Sequence, residues 1–229
     1  MTEPEKTSRD PYDLISRGEK KPTPAGTLTF IGLRGLDPFI QYQILKHGLG
    51  AGILHKLGLQ TLPQGLPAAT GFALIDKIGL SPYRLILLSM ATGSAVKQII
   101  HMVFVSEQEM PTGSAIAIPL FNTIFNTLNT LFAIWTVTSP ITSSNAQVTT
   151  VETLATNPLI AIGATAYFIG IIAEAVSEFQ RKAFKANPAN KGQPYAGGLF
   201  SLARNINYGA YTVWRAGYAL ASGGLSLGA

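Results

Sequence analysis

The sequence predicts an all-α integral membrane protein, a helical bundle of about five transmembrane helices, and three observations carry that class. Only 13% of the 229 residues are charged while 47% are hydrophobic, about half the charged share of a soluble domain. The apolar residues gather into blocks near the length that crosses a bilayer, about 20 residues of helix. The basic residues sit beside those blocks, as charges that orient a membrane protein do. A net charge of +5 therefore reads as a topology signal, and no nucleic acid is implied. The absence of cysteine excludes disulfides, thiolate metal sites and a cysteine nucleophile. His47, His55 and His101 are scattered without metal-ligand spacing, so no metal site is expected.

Residues 1–26 mix both signs of charge without apolar periodicity, and a disordered cytosolic tail without a cleavable signal peptide is expected there. The membrane domain then runs over 27–229. Its first helix, Thr27 to about Lys46, carries Arg34 and Asp37 on one face, with Pro38 breaking the hydrogen-bond ladder near the middle. Two readings are open: a polar notch facing a cavity, or a neutralised ion pair inside a kinked helix. Residues 47–82 hold no stretch of spanning length. They read as short helices and loops at the interface or folded back against the bundle.

Tyr83 to about Val105 is a strong span, and Ser94, Lys97, Gln98 and His101 share one of its faces. A lysine at that depth faces water, a carboxylate or an anion, or else snorkels to the interface. The next span, Ser114 to Val137, sets Asn122, Asn126 and Asn129 on a face that must look inward. Interhelical hydrogen bonds of that kind contribute about 0.6–2 kcal/mol each. Trp135 fits an interfacial anchor. The Ser/Thr-rich stretch 138–157, with Glu152 its one charge, reads as a loop on the translocated side. Asn157-Pro158 opens another span, to about Ile172 and onward as helix through Lys185, and the last helix runs from near Asn207 to Ala221. Lys and Arg crowd both the N-terminal tail and residues 178–204, which places these two regions together in the cytosol.

Chemistry is expected in the polar segment 173–221. Glu174, Glu178, Lys182 and Lys185 lie close to one helix face, with Glu178 and Lys182 a favourable i,i+4 pair. Turn chemistry at Asn187–Gly192 and a flexible point at Gly197-Gly198 follow. Backbone donors at such turns, with Arg and Lys, suit the phosphates of a cofactor. An ordinary positive-inside loop has many of the same residues.

The pattern E-x-Q-R-x-x-F-K at Glu178, Gln180, Arg181, Phe184 and Lys185 resembles the C-terminal domain of the steroid 5-alpha-reductase family. So do Asn187–Gly192, Gly197–Phe200, Asn207-Tyr208 and Gly217–Ala221, in order and spacing, while the N-terminal 110 residues look like the upstream region of fungal membrane proteins of unassigned function that carry this domain. The resemblance implies a bundle in the endoplasmic reticulum membrane, N-terminus cytosolic, reducing a conjugated carbon–carbon double bond of a lipid or sterol-like enone. NADPH would contact Glu178, Lys185, Arg204 and Asn207. Tyr211 stands where the family places a glutamate near the substrate carbonyl, and becomes the candidate catalytic donor. Trp214 and Arg215 replace the family's glutamate and tryptophan, and the family continues past the position of Ala229 with a further helix and a basic-aromatic tail. An alternative is a diverged member, a lipid-binding scaffold or a cofactor-free isomerase. A third reading comes from isoprenylcysteine and phospholipid methyltransferases, whose R-H-P-x-Y motif for S-adenosylmethionine is similar to Arg204-Asn205-Ile206-Asn207-Tyr208. The loss of His and Pro there argues against methyl transfer.

Overall fold

The structure is a computed structural model, and it describes residues 16–142, 145–146 and 150–224. The helices are α1 (Pro24–His47), α2 (Ala51–Lys56), α3 (Ala73–Asp76), α4 (Pro82–Ile100), α5 (Thr112–Ile134), α6 (Val151–Thr156), α7 (Pro158–Ala186) and α8 (Ile206–Gly223). A small antiparallel ribbon joins β1 (Ser16–Lys20) to β2 (Gln108–Glu109). The expected N-terminal tail falls largely on residues 1–15, outside the described ones; within the described part, β1 and the first turn of α1 occupy it.

This is an all-α membrane bundle. Three helical stretches are long and apolar enough to cross a membrane: Pro82–Val105, Thr112–Ile134 and Pro158–Ala186. Helix α1, 24 residues, and α8, 18 residues, are comparable in length but carry more polar inner faces. Local chemistry sets the helix ends. Pro24, Pro82 and Pro158 begin α1, α4 and α7, where a missing N–H costs nothing and the fixed φ is already helical. The Asn157 side chain accepts from the N–H groups of Leu159 and Ile160 and caps α7. Gly48, at φ 68°, closes α1 in the left-handed conformation. Pro38 lies inside α1 without ending it. Packed neighbours in a bundle can re-satisfy the carbonyl that a proline frees. The last turn of α4 widens into a π-helical turn over His101–Val105, a distortion frequent at functional sites.

The tightest seam is between α7 and α8. A Cβ on Gly170 would lie 2.7 Å from the Trp214 backbone nitrogen, and one on Gly217 would lie 2.6 Å from the Gly163 carbonyl oxygen. Small residues here let the two backbones meet, the usual way that helices associate where apolar burial gives no preference for a protein neighbour over lipid. Tyr167 fills the centre, edge-on to Trp214 at 5.7 Å and to Tyr218 at 5.8 Å. Residues 47–82 form the expected short helices and loops. Buried Arg84 fastens them, donating to the carbonyls of Leu62 and Pro63 at 3.0 and 3.1 Å. Ile53, Leu57, Phe72 and Leu74 remain exposed on this segment, as a stretch lying in a bilayer interface would leave them.

Candidate functional site

Polar side chains run through the bundle as one axis with two levels. In the lower level, Arg34 and Asp37 meet at 2.8 Å and neither side chain is exposed. Asp37 also accepts from Gln41 at 2.8 Å and from Asn126 at 2.6 Å. Ser94 accepts from Arg34 and Asn126, and Thr130 donates to Gln41. The structure thus settles the open question about Arg34 and Asp37 as a neutralised pair, enclosed by α1, α4 and α5. Asn122 and Asn126 are buried as expected, and the buried face of α5 continues to Thr130, leaving Asn129 half-buried.

The upper level begins one turn further along α4. Lys97 contacts Glu174 at 2.5 Å and Glu178 at 3.1 Å. Glu178 also meets His101 Nδ1 at 2.8 Å, and Glu174 accepts from the Trp214 indole N–H at 2.6 Å. The lysine expected to face water, a carboxylate or an anion has two carboxylates. Gln98 donates to Asn122 at 2.9 Å, and Arg215 donates to the same Asn122 oxygen. The Arg215 Nε donates to the Tyr211 hydroxyl at 3.2 Å, and its guanidinium lies 4.4 Å over the Trp214 ring. Helices α4, α5, α7 and α8 therefore converge on one cluster. His101 opens the cluster to its surroundings, with 35% of its side chain exposed. Two buried atoms here lack a partner, Gln98 Oε1 and Arg215 Nη1.

The sequence-predicted site residues are divided by this geometry. Glu178 is buried at the centre of the cluster, and Tyr211 is tied to it through Arg215. Asn207 is buried near the start of α8. Lys185 and Arg204 are exposed, at the end of α7 and in the connection to α8. The expected i,i+4 pair of Glu178 with Lys182 gives way: Glu178 turns inward to α4, while Lys182 donates to the Phe104 carbonyl of the π-helical turn. Lys97, His101, Glu174 and Arg215 complete the cluster and were not singled out as site residues by sequence. An arginine on an apolar helix with no acid one turn away is the signal that marks Arg215.

Chemically, the cluster offers a carboxylate-oriented imidazole, a second carboxylate, an aromatic floor and an unpaired guanidinium N–H, all inside a membrane bundle. A carboxylate at Nδ1 fixes the ring so that Nε2 is the proton acceptor.

Residues 107–227 match the family described as protein of unknown function (DUF1295), which covers α5 to α8. The chain is 44% identical over 216 residues to a protein of Ustilaginoidea virens named Probable O-methyltransferase ustE, an overlap of 94% of this chain and 74% of that protein. No solved structure matches the chain.

Proposed function

We propose that this chain, which belongs to the DUF1295 family, is a membrane-embedded group-transfer enzyme that methylates a hydroxyl oxygen of a lipophilic acceptor with S-adenosylmethionine. Two things support the reading: the relative's name, and the side chains gathered between α4 and α8. The observation that carries it is the His101–Glu178 contact at 2.8 Å, part of an otherwise buried ionisable cluster. Transfer to a hydroxyl oxygen releases a proton, and an imidazole oriented by a carboxylate is suited to take it. The histidine that the Arg204–Tyr208 stretch lacks is offered instead by α4.

The residues present fit such a cofactor. S-adenosylmethionine supplies an electrophilic methyl group on a positively charged sulfur. Glu174 and Glu178, already shared with Lys97 and His101, would contribute negative charge towards it at longer range. The exposed Lys185 and Arg204, with Asn207 three residues after Arg204, would hold its carboxylate and ribose end. With the methyl group supplied to the acceptor oxygen, His101 Nε2 would take the hydroxyl proton. The protein's contribution is position and electrostatics. Acceptor molecules would enter from the bilayer, past the exposed Tyr211 and Val213 of α8.

Thermal melting of the detergent-purified protein tests the reading. S-adenosylmethionine at 100 times its dissociation constant stabilises a fold by about 2.7 kcal/mol, and NADPH is expected to give no shift. Stabilisation by NADPH and not by S-adenosylmethionine would overturn the proposal in favour of the reductase. Silence from both would favour a scaffold that uses neither.

A further inference from the structure

The other two cations of the polar axis have carboxylates: Arg34 has Asp37 at 2.8 Å, and Lys97 has Glu174 and Glu178 at 2.5 and 3.1 Å. Arg215 has none among the described residues. It is held on three sides by neutral groups: Asn122 at Nη2, the Tyr211 hydroxyl at Nε, and the Trp214 ring beneath. The remaining Nη1 is buried and without a partner. A half-buried guanidinium whose orientation is fixed and whose Nη1, shielded from solvent, faces no acceptor is unfavourable as a purely structural element. It is favourable where an anion completes it.

The acids of the cluster cannot serve. Glu174 is taken by Lys97 and by the Trp214 indole, and Glu178 by Lys97 and His101. The second orphaned atom of the site, Gln98 Oε1, is an acceptor on a residue that shares Asn122 with Arg215. A donor carrying positive charge and a neutral acceptor thus stand on either side of Asn122, above an aromatic floor.

We infer that Arg215 binds an anionic oxygen of the acceptor molecule, so that the substrate class is an acidic amphiphile, a phenolate or carboxylate on an apolar body, with Gln98 Oε1 placed for a neighbouring hydroxyl. The inference deepens the group-transfer reading by naming its substrate side, while the binding it describes needs no cofactor.

The test uses the full chain in detergent without added cofactor, with Trp135→Phe as background so that Trp214 is the fluorescent reporter. Four probes are titrated: dodecanoate and its methyl ester, and an ionised octyl-nitrophenol and its methyl ether. Each anion is expected to bind at least about tenfold more tightly than its neutral ether or ester, the size of one charged hydrogen bond. Whichever pair shows the larger ratio identifies phenolate or carboxylate. Arg215→Met should abolish the ratio and Arg215→Lys should keep part of it. Equal binding of anion and neutral probe by the unsubstituted chain overturns the inference, as does a ratio that survives Arg215→Met. If the methionine variant does not fold, a full ratio retained by Arg215→Lys counts against the fixed-guanidinium geometry. An anion preference that stands while S-adenosylmethionine fails to stabilise the chain would sink the methyl-transfer reading and leave this site intact.

Discussion

The two levels of the polar axis use similar residues to opposite ends. The lower level, Arg34, Asp37, Gln41, Ser94, Asn126 and Thr130, is closed, with every one of these side chains buried. Its one cation and one anion face each other, although Arg34 Nε and Asn126 Oδ1 have no hydrogen-bond partner. The upper level opens at His101 and leaves Arg215 without a counter-ion. Intramembrane charge thus marks either a structural pin or a working site, and the balance of partners distinguishes them. The pin should respond to substitution in stability, the working site in ligand binding and turnover.

The largest effect is expected at the pin. Asp37→Leu strands Arg34 as an uncompensated buried charge, a loss of about 3–5 kcal/mol, read as a large drop in melting temperature. The combined Arg34→Met, Asp37→Leu change removes both charges and should recover most of the loss. If the pair of changes is no more stable than Asp37→Leu alone, the ion pair is not what holds α1 in place.

Next comes the α7–α8 seam. Gly170→Val places a Cβ 2.7 Å from the Trp214 nitrogen, and overpacking of this kind costs about 1–3 kcal/mol. Because Trp214 lies on that seam and donates to Glu174, the same change should weaken ligand binding. Gly113→Val, where a side chain would meet open space, is the control and should do neither.

At the upper level the effects change kind. Glu178→Gln retains Glu174 for Lys97, so stability should fall by less than at the pin, where Asp37→Leu leaves Arg34 with no carboxylate. Methyl transfer should fall by about 10²–10⁴-fold, as loss of an oriented base does. His101→Gln should give a similar loss, and the two changes together little more, since they remove one function. Additive losses would separate the two residues.

The smallest effect lies outside the bundle. Asp76 accepts from the Thr70 N–H at 2.7 Å and from the Thr70 hydroxyl at 2.8 Å. The Thr70 N–H above all, then its hydroxyl, hold the Asp76 carboxyl below the ordinary carboxylate range. A depressed carboxyl stabilises the folded state above its unfolded pKa, and that contribution is lost as pH falls through the folded value. Protection from hydrogen exchange over residues 70–76 should therefore fall in acid, and Thr70→Val, which removes the hydroxyl and keeps the N–H, should remove part of that acid response. An unchanged response would place the titrating group elsewhere.

How far the sequence was legible follows from the reach of its signals. The membrane class, the blocks of the long helices and the short helices and loops of 47–82 all rest on local composition, and all hold. The Arg34–Asp37 pair was visible because three residues of helix bring them together. Starts were misplaced by one to three residues where a proline opens a helix ahead of its apolar run, as at Pro24 and Pro82. The upper cluster was half visible: Lys97, Gln98 and His101 were recognised as one face, but their carboxylates lie 77 residues away on α7. Local charge spacing pointed Glu178 at Lys182 instead, and only the docking of α7 on α4 turns it inward. Resemblance drew attention to Glu178 and Asn207, both buried in the bundle, and to Lys185 and Arg204, both exposed. Arg215 was noticed only as a departure from a motif. The family match covers residues 107–227, yet much of the polar axis is built from α1 and α4, upstream of the matched residues.

The central claim, that the upper level is where a methyl donor and its acceptor meet, is tested most directly by ultraviolet cross-linking of methyl-labelled S-adenosylmethionine to the intact protein, with the labelled peptides mapped by mass spectrometry. The account predicts label on the peptides carrying Glu174 to Glu178 and Asn207 to Arg215, displaced by unlabelled S-adenosylmethionine and not by NADPH. Label confined to the lower level or to residues 47–82, or label displaced by NADPH, would contradict it.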